Sequence, residues 1–356
     1  MRRAFKIGLV LVAAVLAATP LPRGRVEVMY SRGLYPALQP WLTAVSNVVP
    51  VALFDVVVVS VTAGVLLLWT MRLRGLRHRN GKVAAVGGLA LDTAAIAAAL
   101  YLWFLAAWGL NYQRQPLREQ LDFNEQRVTR DALYSFATRN IDSLNALYRD
   151  AHASGWPELA DTGRVLQPAF VVAQHDLAMT WTAEPGLPKR TLFNFYFTRV
   201  AIEGLTDPFF LETLANQSML PFERASTVAH EWSHLAGYAD ESEANFVGWL
   251  VCMRGTAPVQ YSGWLSLYGT VMNALPRRDR EELSRRLEPG PRTDLIAISE
   301  RIRSQMIPIA NRAGYAVYDR YLKANRVEAG IRSYGDVVRL LLGTRFTEAG
   351  VPLRRY

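Results

Sequence analysis

Long apolar runs dominate the first third of the chain, and a different rhythm follows them. Residues 7–18, 48–70 and 83–108 contain very few polar side chains. The second and third runs are 23 and 26 residues long, more than the roughly 20 that an α-helix needs to cross the hydrocarbon of a bilayer. The first is shorter and follows Arg2, Arg3 and Lys6, the order of a signal-peptide core or a retained anchor, with Ala17 and Ala18 as small residues for a cleavage site. Taken as three membrane helices (about 5–20, 48–70 and 83–108), these runs define a transmembrane region over 1–112 and a folded domain over 113–356.

Within the folded domain, apolar positions recur at helical spacing. Leu133, Phe136, Ile141, Leu144 and Leu147 predict an amphipathic helix over 130–152. Further helices are predicted over 222–236, 240–253, 260–274, 278–287, 293–325 (interrupted at Pro308) and 333–342. Ile296, Ile302, Ile307, Tyr315, Tyr318 and Leu322 are expected core positions. The stretch 190–204, rich in β-branched and aromatic residues, is the best strand candidate, and Gly204 and Pro208 end it. Glu212 and Asn216 are placed on a short helix or loop near a site entrance. The domain should be mainly α with one small sheet.

Charge narrows the partners. The net charge is +9, but residues 1–112 hold 11 Lys/Arg against 3 Asp/Glu, leaving 29 against 28 for the rest. A nucleic-acid binder carries its basic surface on the folded part. Here that part is nearly neutral, which argues against nucleic acid and assigns the charge to membrane flanks. Arg72, Arg74, Arg77, Arg79 and Lys82, with no acid among them, mark the loop between the second and third runs as cytoplasmic. Everything from about Asn111 then lies on the extracytoplasmic side of the cell membrane (plasma or inner), with the lipid bilayer as one partner. Asp55 and Asp92, inside the apolar runs, are expected to make polar contacts within the helix bundle. Their depths differ by roughly 13 Å at 1.5 Å per residue, too much for direct pairing. Cys252 is the only cysteine, so the domain rests on its own core without internal disulfides.

Only five histidines occur in the chain, and two frame a glutamate as His230-Glu231-x-x-His234. Residues i and i+4 of a helix share a face, so both imidazoles can aim at one point. Imidazole is a zinc ligand, and catalytic zinc has three protein ligands with a fourth position left open. Glu231 lies beside that point, where it can take a proton from water. Gly237 suits a left-handed helix end. Beyond it stand three possible third ligands, Asp240, Glu241 and Glu243. Asp240 falls where some zinc peptidases carry theirs, whereas Glu243 sits one turn into the next helix with a longer reach. Asp240-x-x-Glu243 is also a capping-box pattern. Glu243 is preferred as ligand, with Asp240 and Glu241 as alternatives. In zinc peptidases an edge strand ahead of the metal helix pairs with extended substrate, and 190–204 is the segment in that place. His152 and His175 stand alone and are expected to be surface or hydrogen-bonded histidines.

Several further motifs join this one. They are Trp108-Gly-Leu-Asn-Tyr-Gln-Arg-Gln-Pro-Leu117, Gly204-Leu-Thr-Asp-Pro208-Phe-Phe, Glu241-x-Glu243-Ala-Asn-Phe246, Tyr318-Asp-Arg-Tyr-Leu-Lys-Ala-Asn325 and Ser333-Tyr-Gly-Asp-Val-Val338. With them the chain resembles the membrane family known as domain of unknown function 3810, whose members join N-terminal transmembrane helices to a zincin-like domain. The resemblance implies a membrane-anchored zinc metallopeptidase but names no substrate; the hydrolytic reading itself leads to the expectation of a peptide or protein substrate. It also favours Glu243 over Asp240.

The expected chemistry is hydrolysis by a zinc-activated water, with His230, His234 and Glu243 as ligands and Glu231 as proton acceptor. A further donor would stabilise the oxyanion, with Tyr315, Tyr318 and Tyr321 as candidates. Two other readings stand beside it. One is an envelope scaffold or sensor whose metal only fixes the fold. The other is a zinc amidase acting on cell-wall material.

Overall fold

The computed structural model of the protein describes residues 2–76, 82–327 and 335–355. Its first third comprises α1 (Arg2–Ala18), a short α2 (Arg23–Val26) running through a π-helical stretch (Glu27–Leu34) into α3 (Tyr35–Val48), then α4 (Leu53–Leu76) and α5 (Lys82–Ala107). Among the described residues, two helices are long and apolar enough to cross a membrane, over Leu53–Arg74 and Val86–Ala107. In place of a third straight span, α1 and the helix over Arg23–Val48 meet the same test only as a pair bent by 119°. Arg77 and Arg79 of the basic loop lie outside the described residues.

Asp92 has the bundle partners expected of it. Lys6 of α1 and Arg72 of α4 both pair with its carboxylate, the latter at 2.6 Å. Asp55 does not face a bundle. Val49 is extended, as the residue before a proline prefers, so α4 starts only at Leu53. Asp55 therefore lies in its first turn, where it accepts from Thr191 Oγ1 (2.6 Å) and the Leu192 N–H (2.7 Å) of the folded domain.

The folded domain continues through α6 (Leu117–Gln120), α7 (Arg130–Ser154), α8 (Leu159–Asp176), β1 (Pro188–Lys189), α9 (Asn194–Val200), β2 (Gly204–Thr206), β3 (Thr213–Ala215), α10 (Pro221–Leu235), α11 (Glu241–Met253), α12 (Ala257–Ala274), α13 (Arg277–Ser284), α14 (Pro289–Gln305), α15 (Pro308–Ala324) and α16 (Val337–Gly343). At its centre is α10, packed against α8, α11, α12 and the small sheet. Val228, Ala229, Trp232 and Leu235 form its buried face. Trp232 lies 5.1 Å from the Phe170 ring of α8 and gives its indole N–H to the Gly186 carbonyl at 2.7 Å. Among the isolated histidines, His152 is satisfied by Asp294 at 2.9 Å.

The sheet has the order β1-β3-β2. β1 runs parallel to β3 with Pro188 opposite Thr213, and β2 is antiparallel to it with Leu205 opposite Leu214. The middle of the expected strand over 190–204 is instead α9. Thr191, fixed by Asp55, accepts from the Phe193 N–H at 3.0 Å, and Asn194 accepts from Gln217 N at 2.8 Å. These tertiary bonds override the β preference of the segment. Only residues 204–206 at its end are extended.

Three other expectations are corrected. Of the anticipated core positions in α14 and α15, Leu322 is buried, while Ile296, Ile307 and Tyr315 are exposed. The final helix starts at Val337, and residues 333 and 334 fall outside the described residues. Glu212 and Asn216 serve as structural ties, Glu212 on the loop between β2 and β3 and Asn216 just after β3. Asn216 ties the sheet loops together through Ile202 O (2.8 Å). Glu212 is wholly buried and accepts from Leu53 N (3.0 Å), Phe54 N (2.9 Å) and Lys189 Nζ (2.6 Å), so it caps the start of α4.

This buried cap ties the first long apolar helix to the sheet. Glu212→Ala would leave Lys189 without its counter-charge in the interior and should cost about 3–5 kcal/mol. Denaturant unfolding of the reconstituted protein measures this, and a loss below about 1 kcal/mol would show that the cap does not anchor the helix.

Candidate metal centre

Local capping sets the geometry of the motif. Pro221 begins α10, where its missing N–H costs nothing, and Glu223 accepts from the Leu220 N–H at 2.8 Å. Along this helix His230 and His234 fall one turn apart, with ring centroids 4.8 Å apart and planes nearly perpendicular at 86°. The helix then ends as expected, with Gly237 left-handed at φ +87°. Next, Asp240 caps α11, accepting from Ser242 N (2.9 Å), Glu243 N (3.3 Å) and the Ser242 hydroxyl.

That cap decides which acid meets the imidazoles, and it is Glu241. Its Oε2 lies 3.2 Å from His230 Nε2 and 3.6 Å from His234 Nε2. The possible ligand atoms of His230, His234 and Glu241 all lie within 4.8 Å of one another. Asp240 is occupied as a cap. Glu243, the preferred ligand on sequence grounds, lies outside this cluster and accepts from the Leu117 N–H at 2.6 Å. Two residues along a helix turn the side chain by roughly 200°, so Glu241 and Glu243 leave α11 in nearly opposite directions.

The donor set suits a divalent cation such as zinc. Glu241 Oε2 is buried and has no hydrogen-bond partner among the described residues; His230 Nδ1 is in the same condition. The Tyr238 carbonyl lies 2.7 Å from His234 Nδ1; a proton placed there leaves the Nε2 lone pair facing Glu241. Tyr318 donates its hydroxyl to the other oxygen, Glu241 Oε1. Of the three tyrosines considered as donors, it is the one that reaches the cluster. Tyr321 packs on Tyr112 and Phe104, and Tyr315 is exposed.

Burial and charge oppose each other here. Burial alone would push the Glu241 carboxyl up, but His234 and His230 hold it well below the usual range. Burial likewise disfavours a charged His234, yet Glu241 lifts it to about 9. Burial, with Asp240 adding to it, raises Glu243 to about 8.

Glu231 occupies the adjoining position, buried against β2. Its Oε2 accepts from Thr206 Oγ1 at 2.8 Å. A Cβ added at Gly204 would come within 2.5 Å of Glu231 Oε1, so only glycine leaves room for this carboxylate beneath the strand. Burial raises its pKa.

Sequence reasoning missed the groups that hold the end of α10. Trp108 Nε1 donates to the His234 carbonyl (3.0 Å), Tyr35 Oη to the Leu235 carbonyl (2.8 Å) and Arg114 Nη1 to the Gly237 carbonyl (2.9 Å). Arg114 also stacks on Tyr238, 4.9 Å from the ring centre. The run 108–117 signalled Trp108 and Arg114 only as a motif at the exit from the membrane, and nothing in the sequence singled out Tyr35.

The family described as Protein of unknown function (DUF3810) matches residues 30–342. No curated protein and no solved structure matches the chain.

Metal binding here should release a proton. With its pKa lifted to about 9, His234 is protonated at neutral pH, and only the neutral ring can act as a ligand. Zinc affinity should therefore rise about tenfold per pH unit between pH 7 and 9 and level off above. Calorimetric titration across that range tests this, and an affinity independent of pH would contradict it.

Proposed function

The chain belongs to the family of proteins of unknown function DUF3810, and we propose that it is a membrane-bound zinc metallopeptidase with its hydrolytic site outside the cytoplasm. The observation that carries this reading is the meeting of two imidazoles and a buried carboxylate oxygen that faces them and has no hydrogen-bond partner among the described residues, beside a second, buried carboxylate. In it His230, His234 and Glu241 hold zinc. Bound there, zinc supplies Lewis-acid polarisation of a carbonyl and a lowered pKa for water.

The other steps belong to the chain itself. Glu231, oriented by Thr206 and raised in pKa by burial, takes a proton from the attacking water and hands it to the leaving amine. Tyr318 fixes one oxygen of Glu241, leaving the other toward the imidazoles. β2 pairs with β3 on one side in the three-stranded sheet, and its Gly204 and Thr206 both touch Glu231. An extended peptide added along β2 would bring its backbone to that carboxylate. Arg72, Arg74 and Lys82 at the far ends of α4 and α5 support a cytoplasmic loop, with the folded domain on the opposite side of the cell membrane.

One observation favours a second reading, a structural metal. Glu241 and His234 are 1% and 6% exposed, and closed sites are typical of structural zinc. Chelation separates the two. A structural site should unfold when stripped, whereas a catalytic one should keep its helix content and lose activity.

Glu231→Gln tests the mechanism. Cleavage of a general protein substrate should fall about 10²–10⁴-fold while bound zinc stays at the wild-type level. Retained metal with unchanged cleavage would remove Glu231 from the reaction.

A further inference from the structure

The exposed face of α3 is apolar. Together with the residue before it, its outward face carries Leu34, Ala37, Trp41, Ala44, Val45 and Val48, all apolar and at helical spacing. Its inward face buries Tyr35 and Leu42 together with Gln39, Thr43 and Ser46, and the last three donate to Glu184 O (2.8 Å), Leu211 O (3.0 Å) and Glu212 Oε1 (3.2 Å). A helix facing water is polar on its exposed face. An apolar face this continuous marks a contact with something other than water.

Both ends of α3 are fixed to the two long apolar helices. At its start, Tyr30 Oη donates to Ala106 O of α5 (3.0 Å) and Ser31 Oγ to Asn111 Oδ1 just beyond (2.9 Å). At its end, Ser46 shares Glu212 with the first turn of α4. α3 therefore runs between the ends of α4 and α5 that adjoin the folded domain.

A second strut makes the same crossing. The ring of Tyr321 in α15 lies 6.2 Å from that of Phe104 near the end of α5. The start of α15 is joined to α9 through Ile307 N→Arg199 O (2.9 Å) and Asn311 Nδ2→Val200 O (2.7 Å). α9 in turn is held to α4 through Asp55 and the Phe193–Phe54 ring contact at 6.2 Å. This strut is also apolar outward: Phe195 is 70%, Ile309 76% and Val317 65% exposed.

We infer that the outward faces of α3, α9 and α15 lie in the interfacial layer of the outer leaflet of the bilayer that α4 and α5 cross. The folded domain is then seated on lipid and not merely tethered above it. The inference rests on the membrane placement proposed above. Lipid is the occupant because these faces continue the apolar sides of α4 and α5 at the level where those helices end. Arg312 and Arg320, also exposed on α15, can extend to the headgroups. Tyr318, on the same helix, bonds Glu241, so the candidate metal centre stands about 10 Å, one helix diameter, from the lipid surface.

The test uses the full chain in lipid nanodiscs with an environment-sensitive label at single introduced cysteines; native Cys252 is buried. Val45→Cys, Phe195→Cys and Val317→Cys probe the three faces. Leu66→Cys in the middle of α4 and Arg277→Cys on α13 serve as references. Shallow spin-labelled lipid should quench the three probe sites several-fold more than Arg277→Cys, and more than deep spin-labelled lipid does; Leu66→Cys should show the reverse depth order. If Leu66→Cys is quenched and the three sites match Arg277→Cys, these faces meet water or a second copy, and the seating is wrong while the spans stand. If Leu66→Cys is also unquenched, the membrane placement and the seating fall together.

Discussion

The end of α10 is where the molecule is tied together. Three successive groups from the segments beside the apolar helices, Tyr35, Trp108 and Arg114, donate to carbonyls at Leu235, His234 and Gly237. A helix C-terminus leaves its last carbonyls unsatisfied. Here the side chains that satisfy them come from the exit of α5 and the start of α3. Because His234 lies in that last turn and Glu241 follows the next cap, the position of the two imidazoles and the carboxylate depends on this join. Glu243 adds to it by holding Leu117 N, which keeps the 108–117 segment against the start of α11.

This join gives the 108–117 segment a purpose that a simple tether would not need. Removing a donor such as Arg114 exposes a buried carbonyl and also leaves Glu27, its buried partner, with one guanidinium fewer. The effect would be transmitted to the loop 236–240, which carries the Tyr238 carbonyl against His234. The membrane-proximal part and the candidate metal centre are thus one mechanical unit, and the lipid seating of α3, α9 and α15 follows the same logic.

Much of this was legible in the amino-acid order, and each failure has an identifiable cause. The helix carrying His230 and His234, the left-handed turn at Gly237 and the helices from α12 to α15 follow from local spacing and were read to within a few residues. The third member of the cluster was not, because reach from Glu243 was weighed without the direction that the Asp240 cap imposes on α11. The strand expected over 190–204 failed because Thr191 and Asn194 are held by Asp55 and Gln217, partners that are 136 and 23 residues away. Asp55 itself was misread because its neighbours were assumed to be other membrane helices. In the last two cases a long-range hydrogen bond overrode a local preference, whereas in the first a local cap set the direction of the side chains.

Metal content of carboxylate variants tests the central claim most directly. The chain purified from zinc-supplemented cells should carry one zinc, bound with two nitrogen ligands and one carboxylate by X-ray absorption. Glu241→Ala should lose it, while Glu243→Ala, though less stable, should retain it in the folded fraction. Zinc lost from Glu243→Ala but kept by Glu241→Ala, or no zinc in the parent chain, would contradict the account.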